Sequence, residues 1–207
     1  MQDQPKKRKP GRPKLQNSET KINILRTASF LFMEIGYENV SLELVAKQCG
    51  ITKASVYYYF NNKASLFTAC LTYVLGIAHK STMVILQEDG SLKEKLTKIA
   101  FRQMSNAHLD FESMMRDASK ELDEQQITEI RQAEGKLEEA LITAFQQAID
   151  QGEASSKHSP VILAHLFTAI LTMKNHLSLR PIPLDQLVEE TISVLWQGAA
   201  ESLSDKK

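Results

Sequence analysis

Lys53, Ala54 and Tyr57 open a short stretch, KASVYYY, that reads as one helix. An ammonium, a methyl and a phenol at the leading end of a helix suit contact with base edges, because the major groove displays acceptors, donors and the thymine methyl. Tyr58, Tyr59 and Lys63 stand beside or just after them and carry donors that can reach phosphate oxygens. Four consecutive aromatics, Tyr57 to Phe60, cannot all face inward on one helix. Phe60 is expected in the core, Tyr57 and Tyr58 outside it, and Tyr59 in either place.

The elements that must position these side chains lie within Val40–Lys63, VSLELVAKQCGITKASVYYYFNNK. Ser41 can cap a helix over Leu42–Cys49, and Gly50 supplies its stop. Thr52 can cap the next helix, Lys53–Tyr59. Ala46 is small where the two helices cross closely, and Ile51 and Val56 point inward to pin the second against the first. Two short helices about a tight turn can lay the second in the major groove of DNA. Asn61 and Asn62 then break the chain, and a further helix runs from near Lys63 towards Thr82. Ahead of the pair, Asn17 or Ser18 can cap a first helix whose apolar stripe is Ile24, Ala28, Leu31 and Ile35, widened by Leu25 and Phe32. Gly36 ends it.

The remainder also reads as helix. Asp89-Gly90-Ser91 is a turn, with Ser91 capping a helix to about Ala107, and Asp110–Glu121 is a shorter one. Asp123–Gln151 is a long helix with Ile127, Ile130, Leu137, Leu141, Ala144, Phe145 and Ala148 on its apolar side, and Gly135 inside it is a weak point. Pro160 begins a helix to about Leu179, and the last spans Leu184–Leu203. The fold class is therefore all-α with about nine helices. Three domains are expected: an arm over 1–17, a helix-turn-helix domain over 18–64, and a helical body over 65–207.

Charge divides along the chain. Formal net charge is zero, yet residues 1–65 hold 11 Lys and Arg against 5 Asp and Glu, and residues 66–207 hold 14 against 20. A basic head on an acidic body points to a polyanionic partner for the head alone. The arm KKRKPGRPK resembles an AT-hook core at Gly11-Arg12-Pro13, although Pro10 stands where an arginine is usual. Lys9, Arg12 and Lys14 are its candidates for a narrow A·T minor groove; the alternative is a disordered, solubilising tail. Cys49 and Cys70 form no Cys-x-x-Cys pair and read as small core residues. No apolar run approaches the roughly 20 residues of a membrane span, and the basic N-terminus lacks the apolar stretch of a signal peptide, so a cytoplasmic location on the nucleoid is expected.

From about Ile24 to Leu71, ILRTASFLFMEIGYENVSLELVAKQCGITKASVYYYFNNKASLFTACL, the chain resembles the TetR family of bacterial transcriptional regulators. The likeness rests on the LF–x–x–x–GY–x–x–VS passage, the GITKASVYYYF helix and the N–K–x–x–L–F entry to the next helix. It implies a homodimer, a palindromic double-stranded operator, and repression relieved by a small ligand in the larger domain. By position, Lys53, Ala54 and Tyr57 would read bases, and Ser41, Ser55, Tyr58, Tyr59 and Lys63 would contact the DNA backbone. Glu43 departs from the pattern, occupying a place where some relatives carry a basic or polar DNA contact. Its carboxylate can accept from a cytosine amino group or complement the helix dipole.

The same resemblance implies a pocket among the middle helices and pairing of the last two with a partner's. Met104, His108, Phe111, Met114, Met115, Phe145, Phe167 and Met173 suit the wall of a pocket for a largely apolar guest, or ordinary core. Asp110, Glu112, Asp117 and Glu121 read as a site for a cationic guest or as a solvated face. Phe167, Ile170, Leu171, Leu187, Thr191, Val194, Leu195 and Gly198 are the candidates for the dimer interface, joined by Leu163 and Val188. No tight set of His, Cys and carboxylates supports a metal, and no phosphate-binding glycine loop supports a cofactor. No nucleophile elbow or apolar carboxylate pair supports catalysis. The rival readings are an enzyme, or a DNA-binding protein of this fold that activates transcription or organises DNA without a small-molecule inducer.

Overall fold

The computed structural model describes residues 14–106, 111–173 and 182–199, with side chains described over 18–105, 113–173 and 182–199. Among these residues it has nine helices and no strand: α1 Lys14–Ile35, α2 Leu42–Gln48, α3 Lys53–Tyr59, α4 Lys63–Leu86, α5 Leu92–Asn106, α6 Phe111–Ala118, α7 Glu124–Asp150, α8 Pro160–Thr172 and α9 Leu184–Ala199. The expected order and type of element hold throughout.

Several ends differ from the sequence reading. α1 begins at Lys14, ahead of the expected cap at Asn17 or Ser18. Leu15 and Gln16 are good helix formers, and a proline directly before a helix is tolerated. Ile35, expected in the apolar stripe, is 40% exposed. Gly36 reverses the chain at φ 78°. Tyr37, 1% exposed, then covers the ground Ile35 was assigned, stacking on Phe32 at 5.8 Å and meeting Phe67 edge-on at 4.9 Å. α6 stops before Glu121 because the Ser119 hydroxyl donates to the Arg116 carbonyl at 2.7 Å, competing with the helical ladder.

Two cores result. The first joins α1, α2, α3 and the first half of α4, with Ile24, Phe32, Val45, Val56, Leu66 and Phe67 at its centre. Met114, Met115, Ala118 and Leu122 close it from the side of α6, so the head is packed onto the body. The second joins the end of α4 with α5, α7, α8 and α9 around Leu96, Phe145, Phe167 and Ile192. Capping boxes start α4 at Asn62 and α7 at Asp123.

α4 corrects one expectation. At 24 residues it is long and apolar enough to cross a membrane by length and composition. Its early face, Ala64, Leu66, Phe67, Cys70 and Leu71, is buried in the head, and the helix packs on α1, α5 and α7. Burial also pushes the Cys70 thiol up to about 12.

Candidate nucleic-acid interface

α2 and α3 form the expected pair. The Ser41 hydroxyl accepts from the Leu44 amide at 3.1 Å, and Thr52 Oγ1 accepts from the Ser55 amide at 3.1 Å. Gly50 makes the turn at φ 65°, a region closed to most side chains, and the Ile51 amide bonds back to the Ala46 carbonyl at 3.0 Å. Val56 is fully buried and Ile51 packs against the same core, so α3 is pinned from beneath.

That pinning leaves the opposite side of α3 bare. Lys53 and Ala54 are exposed, Tyr57 is 41% exposed and Tyr58 73%. Phe60 is buried, and Tyr59 is half-buried against the core. Ser41 is exposed; its oxygen serves the cap, and its hydroxyl is hydrogen-bonded to the Glu43 carboxylate. Ser55 is half-buried and its hydroxyl lies 2.8 Å from that of Thr52. The reading candidates thus share one outward face with Tyr58.

Lys63 does not join them. Its side chain is only 19% exposed. The ammonium donates to the Tyr37 carbonyl at 3.3 Å, lies 4.2 Å from the centre of the Tyr37 ring, and stands 3.7 Å from Glu121. Tyr37 donates its phenol to the other oxygen of Glu121 at 2.8 Å. Burial first, then the Glu121 bond and charge, push this phenol above its ordinary range. The group braces the head to the turn between α6 and α7. Glu121, read from sequence as part of an acidic guest site or solvated face, is a structural partner instead. Only the fold brings residues 37, 63 and 121 together, so no local pattern announced them.

Glu43 also has a partner. Its carboxylate forms an ion pair with Lys53 across the two helices, and Lys53 Nζ lies 5.3 Å from the centre of the Tyr57 ring. The lysine hydrogen bond lowers the Glu43 carboxyl, and that same contact raises Lys53.

The arm residues Lys9 and Arg12 lie outside the described residues, and Lys14 is the first residue of α1. His108 lies outside them too, as does the side chain of Phe111. The other expected pocket residues do not form one wall. Met104, Phe145 and Phe167 are packed in the body core, Met114 and Met115 in the head core, and Met173 is exposed. The five in the cores fill space between helices and act as packing. The body does carry a half-open cleft of about 510 Å³ between α4, the start of α5 and α7. Met83, Leu86 and Leu92 supply apolar wall, and Lys95 and Lys136 line it too. Among the described residues no His, Cys, Asp and Glu side chains gather in a group that could hold a metal.

α8 and α9 enclose a larger open groove, about 880 Å³, lined by Ile162, Leu166, Ile170, Met173, Val194 and Gly198 among others. Of the residues expected at a dimer interface, Ile170, Thr191, Val194, Leu195 and Gly198 line this groove. Phe167 and Leu187 do not: they face the core of their own chain, at 0% and 5% exposure. Ile162 and Leu166, 56% and 50% exposed, line the groove in their place. α8 is apolar on both sides, so a single stripe could be assigned to the wrong face.

Comparison with known proteins agrees with this geometry. The family model described as bacterial regulatory proteins, tetR family, matches residues 24–70. An uncharacterized HTH-type transcriptional regulator of Bacillus subtilis, YerO, is 23% identical over 195 residues, covering 89% of this chain and 67% of YerO. IcaR of Staphylococcus aureus, a negative transcriptional regulator of a biofilm operon, is 38% identical over 61 residues, covering 28% of this chain and 33% of IcaR. Among solved structures, FadR of Bacillus subtilis in complex with stearoyl-CoA superposes with a TM-score of 0.72 at 17% identity, over 86% of this chain and 98% of FadR.

Proposed function

Through residues 24–70 this chain belongs to the TetR family of bacterial regulators, and from that premise we propose that it is a homodimeric repressor that a small ligand releases from a palindromic operator. The carrying observation is the outward face of α3, where Lys53, Ala54 and Tyr57 are bare on a helix fixed from below by Val56. Lys53, Ala54 and Tyr57 read bases; Ser41, Ser55, Tyr58 and Tyr59 hold phosphates. Lys9, Arg12 and Lys14 reach the minor groove from the arm. The protein acts in the cytoplasm, on the nucleoid, and catalyses nothing. IcaR, similar over 61 residues, is a negative regulator, which favours repression.

Dimerisation uses the α8–α9 groove, whose exposed Ile162, Leu166 and Val194 are the apolar surface a second copy would cover. The two-fold axis sets the half-site spacing. The effector is a largely apolar molecule with an anionic end, received in the cleft between α4, α5 and α7. Met83, Leu86 and Leu92 suit its apolar body there, and Lys95 and Lys136, on a lining that also holds Glu139 and Glu153, are the groups that could meet its charge. FadR, alike in fold, was solved with stearoyl-CoA, a molecule of that kind. A ligand that favours the wrongly spaced dimer weakens DNA binding by the same factor that DNA weakens ligand binding.

The test is enrichment of duplexes from a random pool by the full chain, followed by affinity measurements on the operator obtained. A Lys53→Ala, Tyr57→Ala double variant is expected to lose at least about tenfold in affinity, since a good base contact is worth about 1–3 kcal/mol. Parent-like affinity in that variant would overturn the reading.

A further inference from the structure

The Glu43–Lys53 pair is out of place for a surface evolved only to grip a polyanion. An exposed lysine at the front of a reading helix has a flexible stem, and the strongest anion in the groove is phosphate. Left alone, it drifts to the backbone and adds affinity without sequence information. Here it has a nearer anion. Glu43, in the first turn of α2, holds the ammonium in an ion pair, with the face of Tyr57 beside it. Lys53 and Glu43 are 59% and 49% exposed, so the pair adds little to stability. Its consequence is positional and electrostatic. The ammonium is held above the base edges, and the two charges cancel where the DNA would sit.

We propose that Glu43 is the specificity-determining residue of this reading surface, because it holds Lys53 off the phosphates and makes the pair a donor beside an acceptor that matches a G·C base pair. The ammonium donates to guanine O6 and N7, and the carboxylate accepts from the cytosine amino group. Against phosphate the carboxylate faces another anion, and against an A·T pair, whose adenine N6 also donates, the ammonium no longer meets the two adjacent acceptors that guanine offers, which penalises the wrong site. Removing the charge therefore raises affinity for DNA in general while lowering discrimination. The inference rests on the DNA-reading role proposed for α3.

The experiment uses the full chain, the operator enriched from a random duplex pool, and an unrelated duplex of equal length. Affinities are measured between 50 and 200 mM salt for the parent, Glu43→Gln and Glu43→Ala. Glu43 is exposed and outside both cores, so both variants should fold. Two changes are expected in each variant. Binding to the unrelated duplex tightens, with a log–log salt slope steeper by about 1.8 as the Lys53 of each protomer takes up a phosphate, about 0.9 apiece. In the parent, replacing one G·C pair in each half-site costs about tenfold, and in Glu43→Ala that cost disappears. Unchanged slope and unchanged base preference would overturn the assignment. So would an equal weakening on both duplexes, which marks a merely structural residue, or a steeper slope with the G·C preference intact. If the parent enriches no duplex at all, the regulatory reading fails first; if it does and the variants match it, only the role of Glu43 fails.

Discussion

Tyr37 shows how one side chain ties the head to the body. Its ring stacks on Phe32 and meets Phe67 edge-on, and its phenol is bonded to Glu121 from the turn after α6. Tyr37→Phe keeps the ring and removes the donor. A loss of about 1 kcal/mol is expected in urea unfolding, the usual net worth of one hydrogen bond. Glu121→Gln should not add fully to it, because both changes disturb the same contact. The phenol is raised from its ordinary 10.0 by burial and by Glu121. A raised group contributes stability that is present below its unfolded value and lost as pH rises past it. The parent should therefore lose stability above pH 10, and Tyr37→Phe should flatten part of that decline.

α7 carries the clearest prediction at the level of an element. Glycine inside a helix costs about 1 kcal/mol against alanine, which marked Gly135 as a weak point. The helix nonetheless runs unbroken from Glu124 to Asp150, and a Cβ at Gly135 would meet nothing within 4 Å. Gly135→Ala is expected to stabilise the protein by about 1 kcal/mol, raising Tm by about 2–4 °C in a thermal melt. A drop instead would mean that something packs against the bare backbone in the working assembly. α2 and α3 were legible because caps, a glycine turn and inward apolar residues are all local signals. α8 was not legible in the same way. Its two apolar faces look alike in sequence, and only packing decides that Phe167 goes inward and Leu166 outward.

For the whole molecule, the exposed groove between α8 and α9 is the surface proposed to carry dimerisation. A charge placed there should not harm the core, since Leu166 and Val194 are 50% and 71% exposed. It should oppose a second copy, because a carboxylate buried without a partner in an apolar interface is costly. Leu166→Asp and Val194→Asp are expected to sediment as monomers and to bind the operator more weakly than the parent by at least about tenfold, as one head loses the help of the other. Dimers of parental stability in both variants would place the interface elsewhere.

From the residue string alone came the all-helical class, the order of elements, the reading helix and the division into a basic head and an acidic body. Periodicity, caps, turn residues and charge are local properties, so they survive without coordinates. Tertiary structure decided what depends on contact across long separations. It drew Lys63 away from the outer face towards Tyr37 and Glu121, joined Glu43 to Lys53, and packed Met114 and Met115 into one core and Met104, Phe145 and Phe167 into the other. A side chain's type states what it can do; its neighbours, set by packing, state which of those things it does.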